Sequence, residues 1–128
     1  MTTQVKSKIK IKFNHWLPKL LLKILFKDST YCAVTLGYTI YYSGIQMYQS
    51  LLVHELTHIR QIRKYGILGF YLTYFLCYIL NFFQYWNWEK SYYWIPFEQE
   101  AYTEQALVFS DYLLNEEYAN KLANVEGR

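Results

Sequence analysis

His54-Glu55-Leu56-Thr57-His58 decides how the rest of this chain is read. Four residues make nearly one helical turn, so the two imidazoles sit one above the other and can reach one metal ion from one direction. Glu55 stands beside the first of them, where its carboxylate can hold a water at such a metal. Two nitrogen ligands and a base at this spacing describe a zinc hydrolase. The chain has only three His, and two of them fall in this string. The alternative is a surface helix that carries two ordinary His.

A zinc site needs a third protein ligand. Residues 96–102 read Pro96-Phe97-Glu98-Gln99-Glu100-Ala101-Tyr102. Pro96 suits a first helical position, and acidic residues in a first turn favour a helix start. The spacing predicts a helix from Pro96 to about Leu114, with Phe97, Ala101, Tyr102, Val108, Phe109, Tyr112 and Leu113 facing inward. Glu98 shares that face, whereas Glu100 falls on a mostly polar one. A carboxylate on the buried side needs a cation. Glu98 is therefore the expected third ligand, with Glu100 as the fallback.

These residues carry a family resemblance. His54-Glu55-x-x-His58-x-x-Gln61, followed by Pro96-Phe97-Glu98-x-Glu100-Ala101-Tyr102, resembles the small gluzincin-type metallopeptidase-like proteins of bacteria and phages. It covers roughly residues 30–110. The spacing of Glu98 and Ala101 is similar to the glutamate helix of the CAAX-protease-like families, whose first Glu binds zinc. Tyr102 stands where those families often have Asp, a departure that touches the ligand's surroundings. The resemblance implies a mainly helical α+β fold, a compact zincin-like (minigluzincin) domain. It also implies a β-hairpin before the HExxH helix, a later glutamate helix, one Zn2+ ion, and a strand at Thr39–Ser43 bordering a peptide-binding cleft.

A chain of 128 residues makes one domain. Aromatic content of 21% suggests a wide apolar surface with polar tips. Cys32 and Cys77 lack metal-pair spacing and read as buried thiols. Charge is uneven: residues 1–27 carry seven Lys and no acid, while the remainder carries six Lys and Arg against ten acids, net −4. Lys6, Lys8, Lys10 and Lys12 alternate with Ile9, Ile11 and Phe13 as in an edge strand. Lys19, Lys23 and Lys27 then line a short apolar helix, making residues 1–29 a basic amphipathic segment before the core. Such a helix either lies on an anionic membrane or docks on the body with its Lys outward. Seven Lys without Arg or a recognised module argue against nucleic acid. No signal peptide is visible, which fits a location in the cytoplasm, at a membrane periphery or in a virion.

Residues 30–44 read as a hairpin punctuated by Gly37. The HExxH helix is expected over about Gln46 to Tyr65 and ends at Gly66. Gln61, one turn past His58, is a candidate partner for a ligand. Gly66 to Trp88 is 23 residues without a charge, long enough to span a bilayer. A single crossing would put His58 and Glu98 on opposite sides, so a mostly buried helix over Leu68 to Phe83, with one side open to a membrane or a partner, is expected instead. Trp86 to Trp94 reads as an aromatic loop that serves as lid, substrate platform or packing.

Two functions fit. The first is a zinc-dependent metallopeptidase acting on a peptide or protein, with Glu55 as general base and Tyr92, Tyr93 or Tyr102 as donor to the oxyanion. The second is a non-catalytic protein whose zinc staples a small fold at a membrane surface or in a phage particle. Glu55 favours the enzyme, because a structural zinc helix needs no carboxylate beside its ligand.

Overall fold

The computed structural model describes residues 8–25 and 32–126. Lys27, the side chain of Lys23 and the expected hairpin start at Tyr31 lie outside the described residues, and Lys19 of the expected stripe is exposed. The fold is α+β and mainly helical, with a hairpin ahead of the helix that carries His54 and His58.

Strand β1 (Lys10–Lys12) runs parallel to β3 (Thr39–Tyr42), and β2 (Ala33–Leu36) pairs antiparallel to β3 on its other side. Gly37 turns the β2–β3 hairpin at φ +62°, a conformation that costs a glycine little. Between β1 and β2 lies helix α1 (Leu17–Leu25). The third histidine, His15, is spent there: its Nδ1 accepts from Leu17 N at 3.2 Å.

The sheet buries Ile9, Ile11, Ile40 and Tyr42 against Leu52, Leu56 and Ile59 of α2 (Gln49–Tyr65) and against Ala119 and Ala123 of α6 (Glu116–Glu126). Helix α6 does more than pack. Asn120 Oδ1 accepts from Ile11 N and Asn124 Oδ1 from Ile9 N, at 2.9 and 3.0 Å, while both side-chain amides donate back to the same residues' carbonyls. Four residues rise about 6 Å along a helix and two residues rise about 6.6 Å along a strand, so an i, i+4 Asn pair matches an i, i+2 edge. The outer edge of β1 is thus closed by side chains that imitate a neighbouring strand.

Two expectations are corrected by this packing. The helix opened by Pro96, α5, stops at Ala106 rather than near Leu114. Residues beyond it form β5 (Leu113–Leu114), which pairs with β4 (Met47–Tyr48), and Asp111 bonds Ser50 N and Oγ at 2.9 and 2.8 Å. A carboxylate at the start of α2 and a strand pair replace two further turns of helix. Leu114 is buried, whereas Phe109, Tyr112 and Leu113, expected to face inward, are exposed.

Gly66, at φ +79° and ψ 159°, is the single residue between α2 and α3 (Ile67–Tyr85). Other residues adopt that backbone only with strain. Helix α3 was expected to be mostly buried, yet Phe70 is its one buried residue. A helix about 28 Å long outreaches the small body beside it. The expected aromatic loop is largely helix: α4 (Trp88–Tyr93) starts at Asn87, whose side chain accepts from Lys90 N. It folds back along α3, with Trp88 stacked on Phe82 at 3.7 Å between ring centroids. That return brings α5 (Pro96–Ala106) to lie against α2, on the same side as the HExxH turn.

Candidate metal centre

Helix α2 has two working faces. Leu52, Leu56 and Ile59 face the sheet, while His54, Glu55, His58 and Gln61 are buried on the side toward α3 and α5. Helix α5 supplies the opposing group. Ile95 is extended and fully buried, Pro96 takes the first helical position, and Glu98 follows in the first turn aimed at α2.

Glu98 Oε1 lies 2.9 Å from His54 Nε2 and 3.1 Å from His58 Nε2. One ligand atom from each of the three buried side chains lies within 4.8 Å of the others. Tetrahedral bonds of 2.0–2.1 Å put ligand atoms about 3.3 Å apart, so small side-chain adjustments suffice to admit an ion. The remaining polar atoms are committed elsewhere. Tyr74 donates to Glu98 Oε2 at 2.7 Å, which leaves Oε1 as the oxygen on offer. Gln61 Oε1 lies 2.9 Å from His58 Nδ1, and Gln105 Oε1 lies 2.9 Å from His54 Nδ1. Gln61 Nε2 donates to Phe97 O at 3.0 Å and to Glu100 Oε1 at 3.2 Å, which fixes that amide with its oxygen toward His58. An acceptor at Nδ1 keeps the proton there and turns the Nε2 lone pair toward the centre. The residues therefore fit a single metal ion: two nitrogen donors, one carboxylate oxygen, each ligand braced from behind.

The electrostatics point the same way. Burial works against a charged imidazole at His58. The hydrogen bond and charge of Glu98, and the charge of Glu55, outweigh it and raise the His58 pKa from 6.5 to about 9. Burial likewise opposes ionised Glu98, but the hydrogen bonds and charges of His54 and His58 hold its carboxyl well below the usual range. Without a metal, protonated His58 is the cation beside ionised Glu98.

Glu55 is buried next to the triad, and Thr35 on β2 donates to its Oε2 at 2.5 Å. Tyr71 on α3 holds β2 in place: its hydroxyl donates to Thr35 O at 2.8 Å and accepts from Gly37 N at 2.9 Å. An open cavity of about 1010 Å3 reaches His54, Glu55, His58 and Glu98. Its walls are the apolar side chains of β2, the aromatic side of α3, and α4. Tyr92, Tyr93 and Tyr102 all line it. Burial first, and the Glu98 charge second, push the Tyr92 phenol well up and the Tyr102 phenol up, so both keep their protons. Tyr102 packs edge-on against the His54 ring at 4.5 Å, and exposed Tyr93 tilts over Tyr102. Tyr78 Oη is a buried hydroxyl that finds no hydrogen-bond partner among the described residues.

Glu98 rather than Glu100 meets the imidazoles, and Glu100 is exposed and bonded to Gln61. The strand beside the cleft is β2, not Thr39–Ser43, because β3 sits in the middle of the sheet. Sequence reasoning missed Thr35, Tyr74 and Gln105. Gln105 carried a readable signal, since it follows Glu98 by seven residues and so shares its face of α5. Thr35 and Tyr74 carried none, because their roles depend on how β2 and α3 pack. No protein-family model matches the chain, and neither a curated protein nor a solved structure proves similar to it.

Proposed function

We propose that this chain is a zinc-dependent peptidase of the gluzincin type, with His54, His58 and Glu98 holding the ion. The observation that carries the reading is Glu55. It is buried, faces the cavity beside the ligand triad and has one oxygen engaged by Thr35. A purely structural site has no use for a braced carboxylate at its open side. The donor set, two imidazoles and one carboxylate, suits zinc. Zinc bound there supplies Lewis-acid polarisation of a carbonyl and a water acidic enough to react near neutral pH.

The chain's own residues do the rest. Thr35 anchors Glu55 Oε2, leaving Oε1 to accept a proton from the attacking water. The same carboxyl then returns that proton to the leaving amine nitrogen. Tyr92 and Tyr102, protonated and in the cavity wall, are the donors available to the oxyanion. The antiparallel ladder points the backbone groups of Ala33 and Thr35 away from β3; Tyr71 takes Thr35 O, which leaves Ala33 and Thr35 N as the edge an extended peptide can pair with.

Glu55→Gln tests the reading. It keeps shape and loses the base, so zinc content should match wild type while peptide cleavage falls about 10²- to 10⁴-fold. A fully zinc-loaded wild type that cuts nothing in a degenerate peptide library would make the metal a structural staple.

A further inference from the structure

Helix α3 inverts the usual arrangement of a surface helix. At 100° per residue, Tyr71, Tyr74, Tyr78, Asn81 and Tyr85 fall within an arc of about 80°. Three polar side chains of this arc are used inward. Tyr71 bonds β2, Tyr74 bonds Glu98, and Asn81 Nδ2 donates to Ser91 O on α4 at 3.0 Å. The opposite arc, about 120° wide, holds Leu68, Leu72, Leu76, Ile79, Leu80 and Phe83, hydrocarbon without one polar atom. Ile79 is half-buried, and the other five are exposed, from 52% at Leu76 to 81% at Leu68.

A lysine flanks each end of the helix, and the second, Lys90, stands on the tyrosine side at the rim of the cavity. Lys64 precedes it with its ammonium over the Tyr65 ring at 5.3 Å, and Lys90 follows it over Tyr85 at 4.7 Å. Trp86 and Trp88 stand exposed at the second end. No Asp or Glu occurs between His58 and Glu89. Anionic headgroups complement the same two lysines, and Trp and Tyr favour the boundary between headgroup and acyl chain.

We propose that α3 lies in the plane of a lipid bilayer, its Leu68–Phe83 arc immersed in acyl chains and Lys64 and Lys90 in the headgroup layer. The tyrosine arc then faces the metal centre, so α3 forms the partition between the cavity and the membrane. This docking is independent of catalysis, and substitution of the α3 leucines separates it from binding through the basic amphipathic residues before position 28.

Vesicle flotation of the full chain tests the proposal. Wild type should float with phosphatidylcholine vesicles even in high salt, and more completely at low salt when phosphatidylglycerol is included. Leu72→Glu/Leu76→Glu/Leu80→Glu should lower partitioning at least about tenfold on both, with melting transition and zinc content unchanged. If the triple variant loses its melting transition, Leu80→Glu alone, at a residue 68% exposed, makes the same comparison by vesicle titration. Lys64→Gln/Lys90→Gln should keep neutral binding and lose the anionic preference. The proposal is overturned if wild type stays at the bottom of the gradient. It is also overturned if the leucine variants float as wild type does, or if wild type is a soluble dimer that these variants split.

Discussion

Helices α2 and α3 are joined by one residue and are buried by opposite rules. In α2 the buried set includes His54, Glu55, Thr57, His58 and Gln61, while in α3 only Phe70 is covered and leucines face outward. The difference teaches that burial follows the supply of partners. Each buried polar side chain of α2 meets a hydrogen-bonding group from the hairpin, α5 or its own helix, so its desolvation is offset. Helix α3 has hydrocarbon to cover and, among the described residues, no element left to cover it.

The contrast breaks most visibly at the carboxylate that α2 encloses. Glu98→Ala leaves both histidines in place and removes the charge they surround. Zinc affinity should fall more than about a hundredfold, read as the loss of stoichiometric metal in the purified protein. Zinc content equal to wild type would take Glu98 out of the ligand set. A second comparison sets one leucine from each helix side by side. Leu52→Ala, in the core, should cost about 2–5 kcal/mol in urea unfolding, whereas Leu72→Ala in aqueous buffer should stay within about 0.5 kcal/mol. Similar losses at both sites would mean that α3 is covered in solution.

The pH dependence sharpens the same point. In metal-free protein the folded pKa of His58 is raised, so its stabilisation is fully present below 6.5 and is lost as pH climbs through about 9. Glu98 has a depressed pKa, so its contribution is present above 4.5 and fades as pH falls. The two describe one ion pair. Metal-free protein should be most stable between pH 4.5 and 6.5 and weaken by about 2 kcal/mol toward pH 9 in thermal melts. Added zinc should reverse that slope, because it competes with the proton for the imidazole. The mildest change is Gln105→Ala, which frees the His54 ring from behind. Zinc should bind at least about tenfold more weakly, ~1.4 kcal/mol, with the melting temperature of metal-free protein unchanged.

What the sequence makes legible is whatever local arithmetic controls. The His54–His58 spacing, the hairpin around Gly37, the stop at Gly66 and the inward side of Glu98 all follow from periodicity or backbone preference. The misreadings have one physical origin, competition from distant partners. Helix α5 looked longer because Val108, Phe109 and Tyr112 continue an apolar pattern, yet β4 needs a strand and α2 needs Asp111. Helix α3 looked buried because apolar residues usually are. Helix α6 went unread although Asn115 caps Tyr118 N at 2.8 Å and two acids occupy its first turn. Its apolar stripe is thin, Ala119 and Ala123 with Leu122 beside them, and its main work is done by asparagines.

Those asparagines set an order in time. A nascent chain halted before Asn120 already contains His54, Glu55, His58 and Glu98, so every ligand of the centre is made early. The edge of β1 stays open until Asn120 and Asn124 emerge and bond Ile11 and Ile9. An open edge is a template for foreign strands, and chains grow at about 5–20 residues per second. Synthesis therefore carries a vulnerable interval after the centre is complete in sequence. It closes only with α6, which supplies none of the candidate ligands and protects β1.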